Sequence, residues 1–177
     1  MRRCLLLFVV LCVSLSVGAV DIQDTFFGYK IGSTVNLTLM QSKMELKQDV
    51  SSSIERVSNS KLLNMYKVMF GGIRWDACQV TMLNKGRKFY SIDFSSHFED
   101  EDEAYDLYDV LESMLSGKYG KPVVLDGCLS WGGDNRIGLL LEVKYGRSKG
   151  GRMYWYVNMR YFDMDNVVEA TSYMDEL

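Results

Sequence analysis

The sequence predicts an α+β domain: an antiparallel sheet of about five to six strands with helices packed on one face. Three observations predict it. Apolar residues recur at helical spacing in two stretches, around Leu37 to Met44 and Ala104 to Leu115. Through most of the remaining chain they alternate with polar residues at a period of two, and glycine-bearing turns separate the alternating runs.

The chain opens with the basic Met1-Arg2-Arg3, an apolar run from Leu5 to Val13, and the small residues Ser14 to Ala19. This order of charged, apolar and small-residue regions is that of a cleavable secretory signal, with Val17 and Ala19 at three and one before the cut. A membrane anchor needs about 20 apolar residues, and this run is shorter and ends in Ser and Gly. Cys12 follows Leu11 rather than a small residue, which argues against lipidation, and Arg2-Arg3 lacks the polar lead-in of a twin-Arg signal. The expectation is a signal peptide over 1–19, a single domain over 20–177, and no stable membrane anchor after cleavage.

Within 20–177, Gly28 and Gly32 announce the first helix, with Ser33 as its expected N-cap. Leu37, Met40 and Met44 give its apolar face through about Lys47. Gln48 to Ser53 breaks the pattern, and Ile54 and Val57 suggest a further short helical turn. Met65 to Phe70 reads as a strand ending at Gly71-Gly72. Cys78, Val80 and Met82, then Tyr90, Ile92 and Phe94, alternate on either side of Asn84-Lys85-Gly86 and predict a β-hairpin. The acidic run Glu99 to Glu103 opens the second helix, whose stripe is Ala104, Leu107, Tyr108, Leu111, Met114 and Leu115. Gly117, Gly120 and Pro122 are its stop signals. Val123 to Trp131, Arg136 to Tyr145 and Met153 to Phe162 then read as strands, with an acidic tail after Asp163.

Phe27-Gly28, Phe70-Gly71-Gly72-Ile73, the helix end Lys118-Tyr119-Gly120-Lys121-Pro122 and the closing aromatic strand resemble a family of small exported proteins from gut Bacteroidetes. The resemblance covers most of the chain after residue 19. It implies a Gram-negative source, and periplasmic or extracellular location. It implies no site residues, because that family has none assigned. The Asn36-Leu37-Thr38 sequon would matter only in a eukaryotic secretory pathway.

The formal net charge is −3, and loss of Arg2 and Arg3 with the signal takes it to −5. A mildly acidic domain is soluble and lacks the basic face that phosphate neutralisation requires, so nucleic acid is not an expected partner. Cys4 and Cys12 leave with the signal. Cys78 and Cys128 remain, and in an oxidising compartment they are expected to form a disulfide. Closing a loop of about 50 residues stabilises by roughly 4 kcal/mol in the chain-entropy account. The competing reading is two separate thiols acting as small hydrophobes.

No catalytic constellation is expected. His97 is the single histidine and has no Gly-x-Ser-x-Gly elbow with it. The carboxylates of 99–103 suit the positive end of a helix better than a cation, since consecutive helix positions diverge. Asp163-Met164-Asp165-Asn166 begins like a calcium loop but lacks the later glycine and glutamate. The glycine pairs at 71–72, 132–133 and 150–151 lie in turns, none between a strand and a helix. No metal or cofactor is therefore expected. The most suggestive segment is the last strand, which places Met153, Trp155, Val157, Met159 and Tyr161 on one face. Tyr154, Tyr156, Asn158, Arg160 and Phe162 fall on the other. One face must cover the helices, and the second is too aromatic for a purely solvated surface. Tyr154, Tyr156 and Arg160 are the candidate binding residues, and the expected function is non-enzymatic binding of a protein or glycan partner in the cell envelope. The alternatives are a small secreted hydrolase and a domain that associates with copies of itself.

Overall fold

A computed structural model describes residues 21–57, 59–84, 87–125, 127–147 and 151–166. The expected signal sequence, Lys85-Gly86 of the hairpin turn, Gly150 and the tail from 167 onward lie outside these. Among the described residues the fold is mostly antiparallel sheet with two helices, and it has more strands than the five to six expected: eight in one sheet and two in a second. In chain order these are β1 (Thr25–Phe26), β2 (Tyr29–Lys30), α1 (Leu37–Gln48), β3 (Ser51–Val57), β4 (Ser60–Phe70), β5 (Ile73–Leu83), β6 (Lys88–Phe98), α2 (Glu101–Tyr119), β7 (Val123–Leu125), β8 (Cys128–Gly132), β9 (Ile137–Arg147) and β10 (Met153–Asp163). The larger sheet runs β3-β4-β5-β6-β10-β9-β8-β7. Chain contacts divide the described residues into two compact units, 23–95 with 161–166 and 21–22 with 96–160.

In the first unit, β1 and β2 form a minimal hairpin through Phe27 and Gly28, both at positive φ. That is the backbone a tight hairpin turn demands, and it explains the glycine. The N-cap of α1 is Asn36, whose side chain accepts from the Leu39 amide at 3.2 Å; the expected cap, Ser33, instead donates to the Lys30 carbonyl. Leu37, Met40 and Met44 are buried as the spacing predicts. The short helical turn expected at Ile54 and Val57 is instead the edge strand β3, paired residue by residue with β4 from Ser51 to Val57. Its serines carry little helical preference, and cross-strand hydrogen bonds decide the outcome. The core holds Leu63, Met65, Val80 and Trp75, with an aromatic cluster in which Phe70 and Phe94 stack at 4.3 Å. Phe26 meets Tyr161 at 4.7 Å beside them.

In the second unit, Asp100 caps α2 by accepting from the Asp102 and Glu103 amides at 2.8 and 3.2 Å. Ala104, Leu111 and Leu115 are buried, while Met114 at the margin of the predicted stripe is 52% exposed. Gly117 does not stop the helix; it ends at Gly120, which adopts φ +83° and whose carbonyl accepts from the Trp131 indole at 2.8 Å. The single strand expected over Val123 to Trp131 is a hairpin, β7 and β8, with Gly127 at φ +81° near its turn. Leu129, Trp131, Leu139, Leu141, Val157 and Met159 are buried, and the strand periods place them on one face of β8, β9 and β10. Ile22 is anchored here too: its carbonyl accepts from Asn135 Nδ2 at 2.6 Å.

Candidate functional site

The opposite face of β9 and β10 is more open. Asn158 Nδ2 donates to Glu142 Oε1 at 3.3 Å, and the Tyr154 ring lies over Gly146, where an added Cβ would come within 2.9 Å of its Cζ and Oη. These two neighbour relations run in opposite senses along the strands, so β9 and β10 pair antiparallel with Lys144 opposite Tyr156. Glycine at 146 therefore has a steric reason: it leaves room for a phenol to cross the neighbouring strand.

Tyr154 and Tyr156 are two residues apart on one face of β10, with ring centroids 6.1 Å apart and planes 39° apart. His97, near the end of β6, joins them at 5.6 Å from Tyr154 and 6.2 Å from Tyr156. Both tyrosines are half-buried and His97 is exposed. The two tyrosines are thus neighbours, together with His97, to which the sequence assigns no catalytic role. Arg160, the third expected residue, is exposed on the same face beyond Asn158.

Beside the rings lies a polar group centred on Glu142. Its carboxylate meets Lys144 Nζ at 2.6 Å, the Cys128 thiol at 3.2 Å and the Asn158 amide. Burial raises the Glu142 carboxyl, but the hydrogen bonds from Lys144, Cys128 and Asn158 outweigh it and hold the group below its ordinary value. Lys144 is lowered by burial and raised more by Glu142, ending above its ordinary value. Each partner fixes the other's charge, so the pair orients hydrogen-bonding groups rather than trading protons near neutrality.

The disulfide expected between Cys78 and Cys128 is not formed in the structure. Cys78 is buried on β5, where burial and then the Asp93 charge push its thiol well up. Cys128 sits on β8, and its thiol donates to Glu142 Oε2 at 3.2 Å. The acidic run divides its work: Asp100 caps α2, and Glu99 lies 3.7 Å from Arg152. Among the described residues, no three His, Cys, Asp or Glu side chains are gathered as a metal would need, and no helix is long and apolar enough to cross a membrane.

Comparison with protein-family models, curated proteins and solved structures found no match. The functional reading accordingly rests on the geometry of this face.

Proposed function

We propose that the chain is an exported, non-enzymatic binding module whose open sheet face takes a glycan. The observation that carries the reading is the trio of neighbouring rings, His97, Tyr154 and Tyr156, beside the Glu142–Lys144–Asn158 group. The C–H face of a sugar ring packs on an aromatic face, while its hydroxyls both donate to a carboxylate and accept from an ammonium or amide. Both halves of that chemistry occur here within one pair of strands. Export rests on the pattern of residues 1–19, and N-terminal sequencing of the processed protein should begin at Val20.

A protein partner is the second reading, favoured by the exposed Arg160 in line with the two tyrosines, since Tyr and Arg concentrate binding energy at protein interfaces. The hydrolase alternative asks for a group poised to gain or lose a proton near neutral pH, and the mutual charge fixing of Glu142 and Lys144 works against that role. The test is binding of the protein and its Tyr154→Ser/Tyr156→Ser variant to an immobilised panel of neutral and anionic envelope polysaccharides. Each lost ring contact is worth about 1 kcal/mol, so the variant should bind at least tenfold more weakly. Equal binding by the two proteins refutes the assignment of this face. Saturable capture of a protein but no polysaccharide would select the second reading.

A further inference from the structure

The hairpin of β9 and β10 carries a second aromatic group on its other face. Tyr145 pairs across the strands with Trp155, ring centroids 5.7 Å apart and planes 52° apart. Tyr105 of α2 reaches the same indole at 6.0 Å and 54°. One ring from the sheet and one from the helix are thus inclined against a central tryptophan. These rings are not sealed into the core: Tyr105 is 43% and Tyr145 66% exposed, and neighbouring Met153 is 53% exposed. Trp131 in the same unit, by contrast, is 3% exposed.

The surroundings are acidic. Glu101 and Asp109 lie one helical turn to either side of Tyr105 and share its face of α2. Tyr108, whose ring is 6.2 Å from that of Tyr105, reports the field: burial, followed by the negative charges of groups including Glu112 and Asp109, pushes its phenol up to about 12. Among the described residues, Arg152 lies 3.7 Å from Glu99 and Arg147 Nε donates to the Gly151 carbonyl at 3.2 Å.

We infer that Tyr105, Tyr145 and Trp155 form a binding site for an organic cation of the quaternary ammonium class. A trimethylammonium group has no N–H to donate, so a hydrogen-bonded carboxylate serves it poorly. It gains most from apolar ring faces that carry negative quadrupole charge. The α2 carboxylates add attraction over a longer range and disfavour anions at the same place. This site is on the opposite side of the hairpin from the glycan-binding face and stands independently of that reading.

The chain supplies its own reporter. Trp75 and Trp131 are buried at 0% and 3% exposure, which leaves Trp155 as the half-exposed tryptophan among three. Titration of the purified protein with choline should change tryptophan fluorescence saturably, at constant ionic strength set with sodium chloride. The neutral isostere 3,3-dimethylbutan-1-ol should require at least tenfold more. Tyr145→Ala, at a position exposed enough to leave folding intact, should weaken choline binding several-fold, and Tyr105→Phe should retain it. Co-sedimentation with phosphatidylcholine vesicles would assign the cation to a lipid headgroup; a choline response without co-sedimentation would assign it to a soluble molecule. Equal responses to choline and the isostere, an unsaturable response, or unchanged affinity in Tyr145→Ala would overturn the inference.

Discussion

Replacing Gly146 by alanine tests the architecture of the aromatic face without removing any ring. Gly146 lies in the extended backbone of β9, so alanine on conformational grounds alone should stabilise the protein by about 0.5–1 kcal/mol. The Tyr154 ring opposes that gain. The new Cβ would lie 2.9 Å from Cζ and Oη, and ordinary contact requires about 3.6–3.8 Å, so the ring must move by roughly 0.7–0.9 Å. Tyr154 is half-buried and held against His97 at 5.6 Å and Tyr156 at 6.1 Å, so the displacement disturbs both contacts. Overpacking of this kind costs about 1–3 kcal/mol where neighbours are fixed, with the lower end fitting a partly exposed ring. The net expectation is destabilisation by about 0.5–1 kcal/mol, or roughly 1–4 °C in Tm for a domain of this size. In a Tyr154→Ala background the obstruction is gone, and Gly146→Ala should turn stabilising. Thermal unfolding of the four proteins in this cycle should give a coupling of about 1–2 kcal/mol. Additive effects, or simple stabilisation in the wild-type background, would refute the placement of the ring over Gly146.

Three further outcomes follow from the same geometry. Glu142 is held below its ordinary carboxylate value, so its stabilising contribution is present above about pH 4.5 and is lost as pH falls through its lowered pKa. Glu142→Gln should therefore flatten the acid limb of the stability curve and cost about 1 kcal/mol at pH 7, a figure kept low because Lys144 is half-exposed; an acid limb as steep as wild type's contradicts this. Asp100→Ala removes the acceptor for two α2 amides and should lower stability by about 1 kcal/mol, with Asp100→Asn close to wild type in thermal unfolding. Alkylation of the folded protein, read by peptide mapping, should label Cys128, while Cys78 reacts only after unfolding. Failure of both to react after unfolding without reductant would establish the disulfide instead.

The elements most legible in the sequence were those whose own residues carry the full signal. The α2 stripe and its acidic start need no partner to be recognised, and the long alternation of 137–141 needs only one buried face. Segments decided by their neighbours were misread. Ser51 to Val57 has no strong local preference and becomes a strand because β4 offers seven consecutive pairing positions. Val123 to Trp131 looks continuous because its apolar residues run across the turn, and only the positive φ of Gly127 near that turn shows where the chain reverses. The cap of α1 falls at Asn36 rather than Ser33 because both are sound caps locally; the Ser33 hydroxyl is committed to Lys30 in the turn before the helix.

The candidate site divides along the same line. Tyr154 and Tyr156 share a face by the two-residue period of a single strand, so they could be paired from sequence alone. His97 could not, because its place beside them depends on β6 and β10 being neighbours although α2 and three strands separate them along the chain. The strand period puts Met153, Trp155 and Val157 on one face, and α2 reaches that face through Tyr105. What the period could not reveal is that Trp155 lies near the end of the hairpin, where the sheet extends past full cover and Tyr145 remains 66% exposed. A strand's alternation separates its two faces but says nothing about how far along the strand the cover reaches. On β10 that change falls within a few residues: Val157 and Met159 are buried, Trp155 is half-buried and Met153 is exposed.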